Sequence, residues 1–301
     1  MDPPKPNLFL ELLSRPGPIT ADGAMGTSLM ELGLASGEAP ESWNQRADRR
    51  DLVGSIHAGF VAAGAQIVLT NSFGGNPLRL ARHGLSEQVF ELNRAAARIA
   101  RTAVGPGIAV AGSMGPCGEF LYPLGDLSAP EVSASFARQA AALAAGDVDL
   151  LWIETMAALD EAEAALIGAR AGAPGLPIVV TLTFDRGGRT MMGVSPIQAA
   201  RALNEWGLAA WGANCGSGGL EMEQIIEQMI EACPEATLVA KGNAGSPRLT
   251  EAGTVYDLSL EQAAEQAGRL LARGVRIIGG CCGTKPAHLR AISKVLRAVA
   301  D

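Results

Sequence analysis

The sequence predicts an α/β fold, a single (β/α)8 (TIM) barrel, and two observations predict it. Eight short apolar or β-branched runs alternate with helical stretches of about 10 to 18 residues, the pattern of repeated βα units around a parallel sheet. Nearly every run then ends in a Gly, Asn, Cys or acidic signature, and in a barrel those carboxyl ends converge on one rim. No linker separates the units, which favours a closed barrel over the alternative, an open doubly wound sheet. A length of 301 residues accommodates such a barrel as one domain, 1–301, with residues 1–15 as an N-terminal extension.

The first run, 18–22, ends in Asp22-Gly23-Ala24-Met25-Gly26 and is followed by a helix at 52–63. The second, 66–70, ends in Thr70-Asn71-Ser72-Phe73 before a helix at 87–104; the third, 108–113, leads through Ser113-Met114-Gly115-Pro116 to a helix at 131–145. Glu154-Thr155 closes the fourth run, 150–154, and Asp160 gives the next helix, 160–170, an acidic first turn that suits its dipole. The fifth run, 178–183, passes Phe184-Asp185 to a helix at 196–206, where Pro196 sits in the first turn and its missing N–H does no harm. Run six, 209–214, ends in Asn214-Cys215 before a helix at 221–232, and run seven, 236–240, leads to Asn243-Ala244-Gly245 and a helix at 260–273. The eighth, 275–279, ends in Gly279-Gly280-Cys281-Cys282-Gly283, and Pro286 opens the last helix, 286–300. The opposite strand ends, as at Gly64 and Gly274, carry ordinary helix-stop residues.

Composition narrows the chemistry. Hydrophobic residues make up 48% of the chain, enough to bury a sizeable core, while a net charge of −7 without any Lys/Arg cluster argues against nucleic acid or an anionic membrane as partner. The polar, proline-rich start lacks the order of a secretion signal and no apolar run reaches membrane-spanning length, so a soluble, cytoplasmic protein is expected. Five cysteines in such a chain are not a disulfide framework, and metal binding or catalysis becomes the question.

Cys215 follows run six and Cys281-Cys282 follows run eight. Alternate barrel strands lie about 10 Å apart, so thiols leaning inward from these two ends can meet over the mouth. Three cysteines without a fourth protein ligand describe a zinc site with one position open, the catalytic arrangement rather than the closed structural one. Gly279, Gly280 and Gly283 allow the bend that lets neighbouring residues face one ion. A redox dithiol is the competing reading, but a disulfide between sequence neighbours is strained and the two-residue spacer of redox pairs is missing. Cys117 and Cys233 read as small buried hydrophobes. A zinc ion with three thiolates activates water poorly but binds an incoming thiol as a nucleophilic thiolate, so alkyl transfer to sulfur is the natural reaction. His57, His83 and His288 all lie away from the run ends and offer little for histidine chemistry.

The Gly279–Thr284 segment (Gly-Gly-Cys-Cys-Gly-Thr), with Asn214-Cys215, Asp22-Gly23-Ala24-Met25-Gly26-Thr27 and Thr70-Asn71-Ser72-Phe73, resembles the homocysteine S-methyltransferase family, over about residues 18–300. The resemblance implies zinc held by Cys215, Cys281 and Cys282, and a homocysteine thiolate that attacks an activated methyl group and leaves as methionine. It further implies that Glu154 accepts the homocysteine amino group, that Asp22 and Gly23 frame the amino-acid pocket, and that Ser113 with the amides near Gly115 holds the carboxylate. The same resemblance implies that Asn214 and Asn243 orient the ligands and that Thr70 and Asn71 shape the rim. Gly115-Pro116-Cys117-Gly118-Glu119, Tyr122-Pro123-Leu124-Gly125, Phe184-Asp185 and Asn243-Ala244-Gly245 are similar to the barrel of the cobalamin-dependent branch. No corrinoid-binding domain follows, so a corrinoid carrier is expected on another chain unless the donor is a free small molecule. With 4% aromatic residues, only Trp43, Phe73, Phe120 and Tyr122 fall near the rim, little material for a cage around a quaternary ammonium. This favours a methylcorrinoid protein over betaine, a dimethylsulfonio compound or S-methylmethionine. Two further alternatives are a docking subunit of a corrinoid assembly with a purely structural zinc, and a metal-free barrel that binds a small amino acid.

Overall fold

The computed structural model describes residues 7–185, 187–216, 219–250 and 253–298; residues 1–6 of the polar start and 299–300 of the predicted last helix lie outside them. The barrel strands are β1 (Ile19–Thr20), β2 (Ile67–Leu69), β3 (Ala109–Met114), β4 (Leu150–Met156), β5 (Ile178–Leu182), β6 (Ala210–Cys215), β7 (Leu238–Gly242) and β10 (Ile277–Gly280). Between β7 and β10, β8 (Arg248–Thr250) and β9 (Gly253–Val255) form an antiparallel hairpin. The helices are α1 (Leu8–Ser14), α2 (Met25–Glu31), α3 (Arg50–Ala62), α4 (Pro77–Ala81), α5 (Val89–Val104), α6 (Ala129–Ala144), α7 (Leu159–Gly172), α8 (Pro196–Glu205), α9 (Gly219–Ala232), α10 (Leu260–Ala272) and α11 (Pro286–Arg297).

Eight parallel strands run in the order β1-β10-β7-β6-β5-β4-β3-β2, and a bridge between Ala21 and Ile67 brings β1 against β2, so the expected barrel forms. At that seam side chains supplement the ladder: Gln66 Oε1 accepts from Thr20 N at 3.0 Å, and Asp22 Oδ2 accepts from Leu69 N at 2.7 Å. Ser128, Ser195 and Ser259 each begin a capping box that satisfies free N–H groups where α6, α8 and α10 start, each contributing about 1 kcal/mol.

Strand alternation sorts the side chains into two cores. Outward residues such as Val68, Val110 and Ile278 pack beneath the helices, while Ile67, Leu69, Ala109, Ala111, Leu150, Trp152, Val179, Val239 and Ile277 fill the interior. The N-terminal extension contributes here, because Phe9 and Leu12 of α1 join the interior cluster and close the barrel at its base. Asn7 fixes that plug twice: its Oδ1 accepts from Leu10 N and its Nδ2 donates to Asp149 O at 2.7 Å.

One boundary shift bears on function. The seventh run is expected at 236–240, but Ala236 N is held in a turn by Cys233 O, and the strand instead extends to Gly242. There Lys241 and Gly242 pair with Asn214 and Cys215 on one side and with Gly279 and Gly280 on the other. Lys241 thereby becomes a strand residue at the centre of the barrel. No helix among the described residues is long and apolar enough to cross a membrane.

Candidate metal centre

Cys215 is the last residue of β6, and Cys281 and Cys282 follow β10; their sulfurs all lie within 4.8 Å of one another. The distance is the outcome of specific backbone devices. Asn214 faces the interior, so simple alternation would turn Cys215 outward. Cys215 instead adopts φ 62, the left-handed region that non-glycine residues enter at about 1–3 kcal/mol, which breaks the alternation beside the mouth. On the other stretch Cys281 N donates to Gly242 O at 2.8 Å and Thr284 N to Cys281 O at 3.0 Å, closing a tight turn. Gly283 within that turn has φ 78, and a Cβ there would meet the Tyr256 ring at 2.3 Å. Glycine is required at 283 for both reasons.

Ionisation of the three thiols depends on one another and on burial. The Cys281 hydrogen bond lowers Cys215, but Cys282 and burial outweigh it and push Cys215 up to about 11. Cys282 is lowered by Cys215, yet Cys281 and burial push it up to about 12, and the hydrogen bond with Cys215 raises Cys281. Three thiols crowded this closely release their protons together only if a cation compensates them, which is the donor set of a thiolate-bound metal. A second observation fits: Asn243 donates through Nδ2 to Gly216 O at 2.5 Å, while its buried Oδ1 has no partner among the described residues. Asn243 lies beside the cysteine turn, since the next residue, Ala244, donates its N–H to Cys282 O.

The other residues named from the sequence gather in two groups. Glu154, next inward on β4 after Trp152, accepts from Ser113 Oγ, and burial pushes its carboxyl above the ordinary range against the opposing pull of Lys241. Its position is set by a bulge: the β4–β5 register shifts between Ile153 and Met156, and Thr155 has φ 63. Asn214 clamps that bulge from β6, the second strand along, its Oδ1 accepting from Thr155 N at 2.8 Å and its Nδ2 donating to Thr155 Oγ1 at 2.7 Å. The same Nδ2 lies 3.7 Å from Cys281 Sγ, so one amide touches both the carboxylate arm and the cysteine cluster. Thr70 Oγ1 takes Ser113 N, and Asn71 bonds Pro40 O and Asn44.

Asp22 is also buried, but both of its oxygens are engaged: Oδ1 by Lys241 Nζ at 2.7 Å, Oδ2 by Leu69 N. Gly23 is squeezed between the Phe60 ring and Thr284 O, each 2.6 Å from where a Cβ would stand, and so holds the first strand's exit against the cysteine turn. The amides expected near Gly115 are engaged as well, Gly115 N with Phe73 O and Cys117 N with Glu161. Cys117 is buried among core residues and Cys233 lies at the core's edge, both away from the cluster. Sequence reasoning placed Thr155 at the end of the fourth run but gave it no role, and it missed Tyr256 and Lys241; of these two only Lys241 left a signal, a lone charge directly after the apolar Leu238-Val239-Ala240.

The methionine synthases of Mycobacterium leprae and Mycobacterium tuberculosis are each 31% identical over 291 residues, covering 91% of this chain and 24% of their own. The chain thus spans about a quarter of the length of the curated relatives it matches. Crystal structures of the homocysteine methyltransferase MmuM from Escherichia coli superpose with a TM-score of 0.78 in both metallated and oxidized forms, covering 96% of this chain and 99% of that one. Identity there is 24% and 25% respectively, and the metallated form's likeness is one of fold. The sequence profile described as homocysteine S-methyltransferase matches residues 19–296. That match runs from the first residue of β1 to the penultimate residue of α11 and leaves no barrel strand outside it; the chain belongs to the homocysteine S-methyltransferase family of methyltransferases.

Proposed function

We propose that this chain transfers a methyl group to the thiol of homocysteine to form methionine, with Cys215, Cys281 and Cys282 holding zinc at the barrel mouth. The observation that carries this reading is the three-sulfur cluster drawn from two distant stretches, with no further Cys, His, Asp or Glu grouped with it among the described residues. A site with three protein ligands keeps a position for an incoming sulfur, whereas a purely structural zinc is closed by a fourth. When bound, zinc supplies the charge that keeps the acceptor sulfur a thiolate at neutral pH. The protein's own residues bind and orient. Glu154, fixed by Ser113 and aimed by the Thr155 bulge, takes the substrate ammonium. Asn214 ties that arm to the cysteine cluster, and Asn243 offers its free Oδ1 beside it.

For the donor, the rim favours a methylated corrinoid carried by another protein. Of the four aromatic residues the sequence placed near the rim, Trp43 is fully buried and stacked by Arg49 at 4.7 Å, and Phe73 is stacked by Arg79 at 5.2 Å, so neither offers an open cage wall; the aromatic ring beside the cluster itself is Tyr256, against Gly283. A second reading, a free small-molecule donor, is favoured by the near-complete coverage of MmuM, a homocysteine methyltransferase no larger than this barrel. A methyl-transfer assay with homocysteine against glycine betaine, dimethylsulfonio compounds, S-methylmethionine and a methylcorrinoid protein separates the two. Cys281→Ala is expected to abolish zinc content and turnover while the circular dichroism of the barrel stays unchanged. Full activity of that variant with each donor would refute the proposed role.

A further inference from the structure

Lys241 is the single buried Lys or Arg side chain among the described residues, with 3% of its side chain exposed. Its place is specific. β7 lies between the two strands that end in cysteines, and Lys241 is paired with Asn214, one residue before Cys215, and with Gly279, two before Cys281. The ammonium sits 5.3 Å from the centroid of the Trp152 ring and 2.7 Å from Asp22 Oδ1, and Asp22 is itself fixed by Leu69 N. Glu154 lies close enough to act on it electrostatically, and with Asp22 it holds the ammonium protonated against the effect of burial.

The charges around this ammonium explain why a barrel interior keeps it. Two buried carboxylates, Asp22 and Glu154, share the mouth with the cysteine cluster. Three thiolates around a divalent zinc carry a net negative charge before any substrate enters, and an acceptor thiolate adds another. In a site shielded from water each added anion is opposed by those already present, unless a fixed cation offsets them.

We propose that Lys241 is the built-in counter-charge of this centre: its ammonium, held against Asp22 between the two cysteine-bearing strands, offsets the negative charge an incoming thiolate adds and so sets how tightly the site takes a thiol. The inference rests on the reading of the cluster as a zinc site that binds the acceptor sulfur. Lys241 acts through its charge without touching the reacting atoms, and is a positioning residue. Its effect differs in kind from that of Glu154, which concerns only thiols bearing an ammonium. Loss of Lys241 weakens every thiol, and removal of Asp22 with it restores the balance.

The test uses the zinc-loaded full chain, titrated calorimetrically at one pH with homocysteine and with 4-sulfanylbutanoate, which lacks the amino group; zinc per chain is measured alongside. Lys241→Met is expected to weaken binding of both thiols about tenfold or more. The double variant Asp22→Asn/Lys241→Met removes both members of the pair and so keeps the net charge around the cluster as in the parent; it should return the affinity for 4-sulfanylbutanoate, which has no amino group for an amino-acid pocket to read, to within about threefold of the parent. Parent-like affinity in the single variant overturns the proposal. So does a double variant as weak as the single one, because the loss then comes from a direct contact or from packing. Should Lys241→Met fail to fold, Asp22→Asn alone is compared with the double variant: the retained ammonium should bind thiols more tightly, and equal binding overturns the proposal. A parent protein that loads zinc and binds neither thiol sinks the reading of the site itself, a result distinct from each of these.

Discussion

Asn214 shows how much one side chain decides here. Both ends of its amide hold Thr155, a β-branched residue in the left-handed region, where it is a genuine outlier and stays only if its surroundings insist. Asn214→Ala is therefore expected to let the Glu154 bulge relax. Catalytic efficiency with homocysteine should fall about 10–100-fold, the range for orienting partners of a metal site, with zinc content retained. An unchanged KM and kcat in a zinc-replete variant would count against the clamp. His57 on α3 makes a separate case: it is fully buried, neither ring nitrogen has a partner among the described residues, and burial lowers its pKa to about 4. An unfolded histidine titrates near 6.5, so between about 6.5 and 4 the unfolded chain binds the extra proton and stability falls as pH falls, by about 1.4 kcal/mol per pH unit at most. His57→Leu should remove that component. The check is urea unfolding of both proteins at pH 7.5 and pH 5, and an identical acid loss in each would exclude His57 as its source.

Among the elements, α1 has the most separable role. A seven-residue helix is marginal by itself, and it forms here because Asn7 caps it and Phe9 and Leu12 enter the interior core. Phe9→Ala opens a cavity at the base of the barrel and should destabilise the protein by about 3–5 kcal/mol. Because the cysteine centre is at the opposite rim, the zinc content of the folded variant should match that of the parent. Denaturant midpoints and metal analysis measure the two halves of this expectation. A variant with unaltered stability would mean that α1 lies on the barrel rather than in it.

For the whole molecule, the two cores are continuous around the barrel and neither includes Cys215, Cys281 or Cys282. Removing metal with a chelator should accordingly leave the far-ultraviolet circular dichroism unchanged and lower the melting midpoint only through the lost binding energy. Collapse of the secondary structure on chelation would instead assign the metal a structural role.

The order of the strand and helix units, the rim that gathers the chemistry and the three cysteines that cluster there were all legible in the residues. Period-2 and period-3.6 patterns report local structure, and a Gly-Gly-Cys-Cys-Gly turn has few uses besides presenting two thiols to one point. The residues also set Glu154 and Asn214 at run ends, with their roles given only through resemblance, and put Lys241 just beyond a strand's end. Only the tertiary structure turned Lys241 inward, joined it to Asp22 across 219 positions and set Asn214 on Thr155 across 59. Those facts depend on which face a strand residue takes and on which strands become neighbours when the barrel closes. Both follow from burying the whole apolar interior at once, a condition no local stretch of sequence expresses.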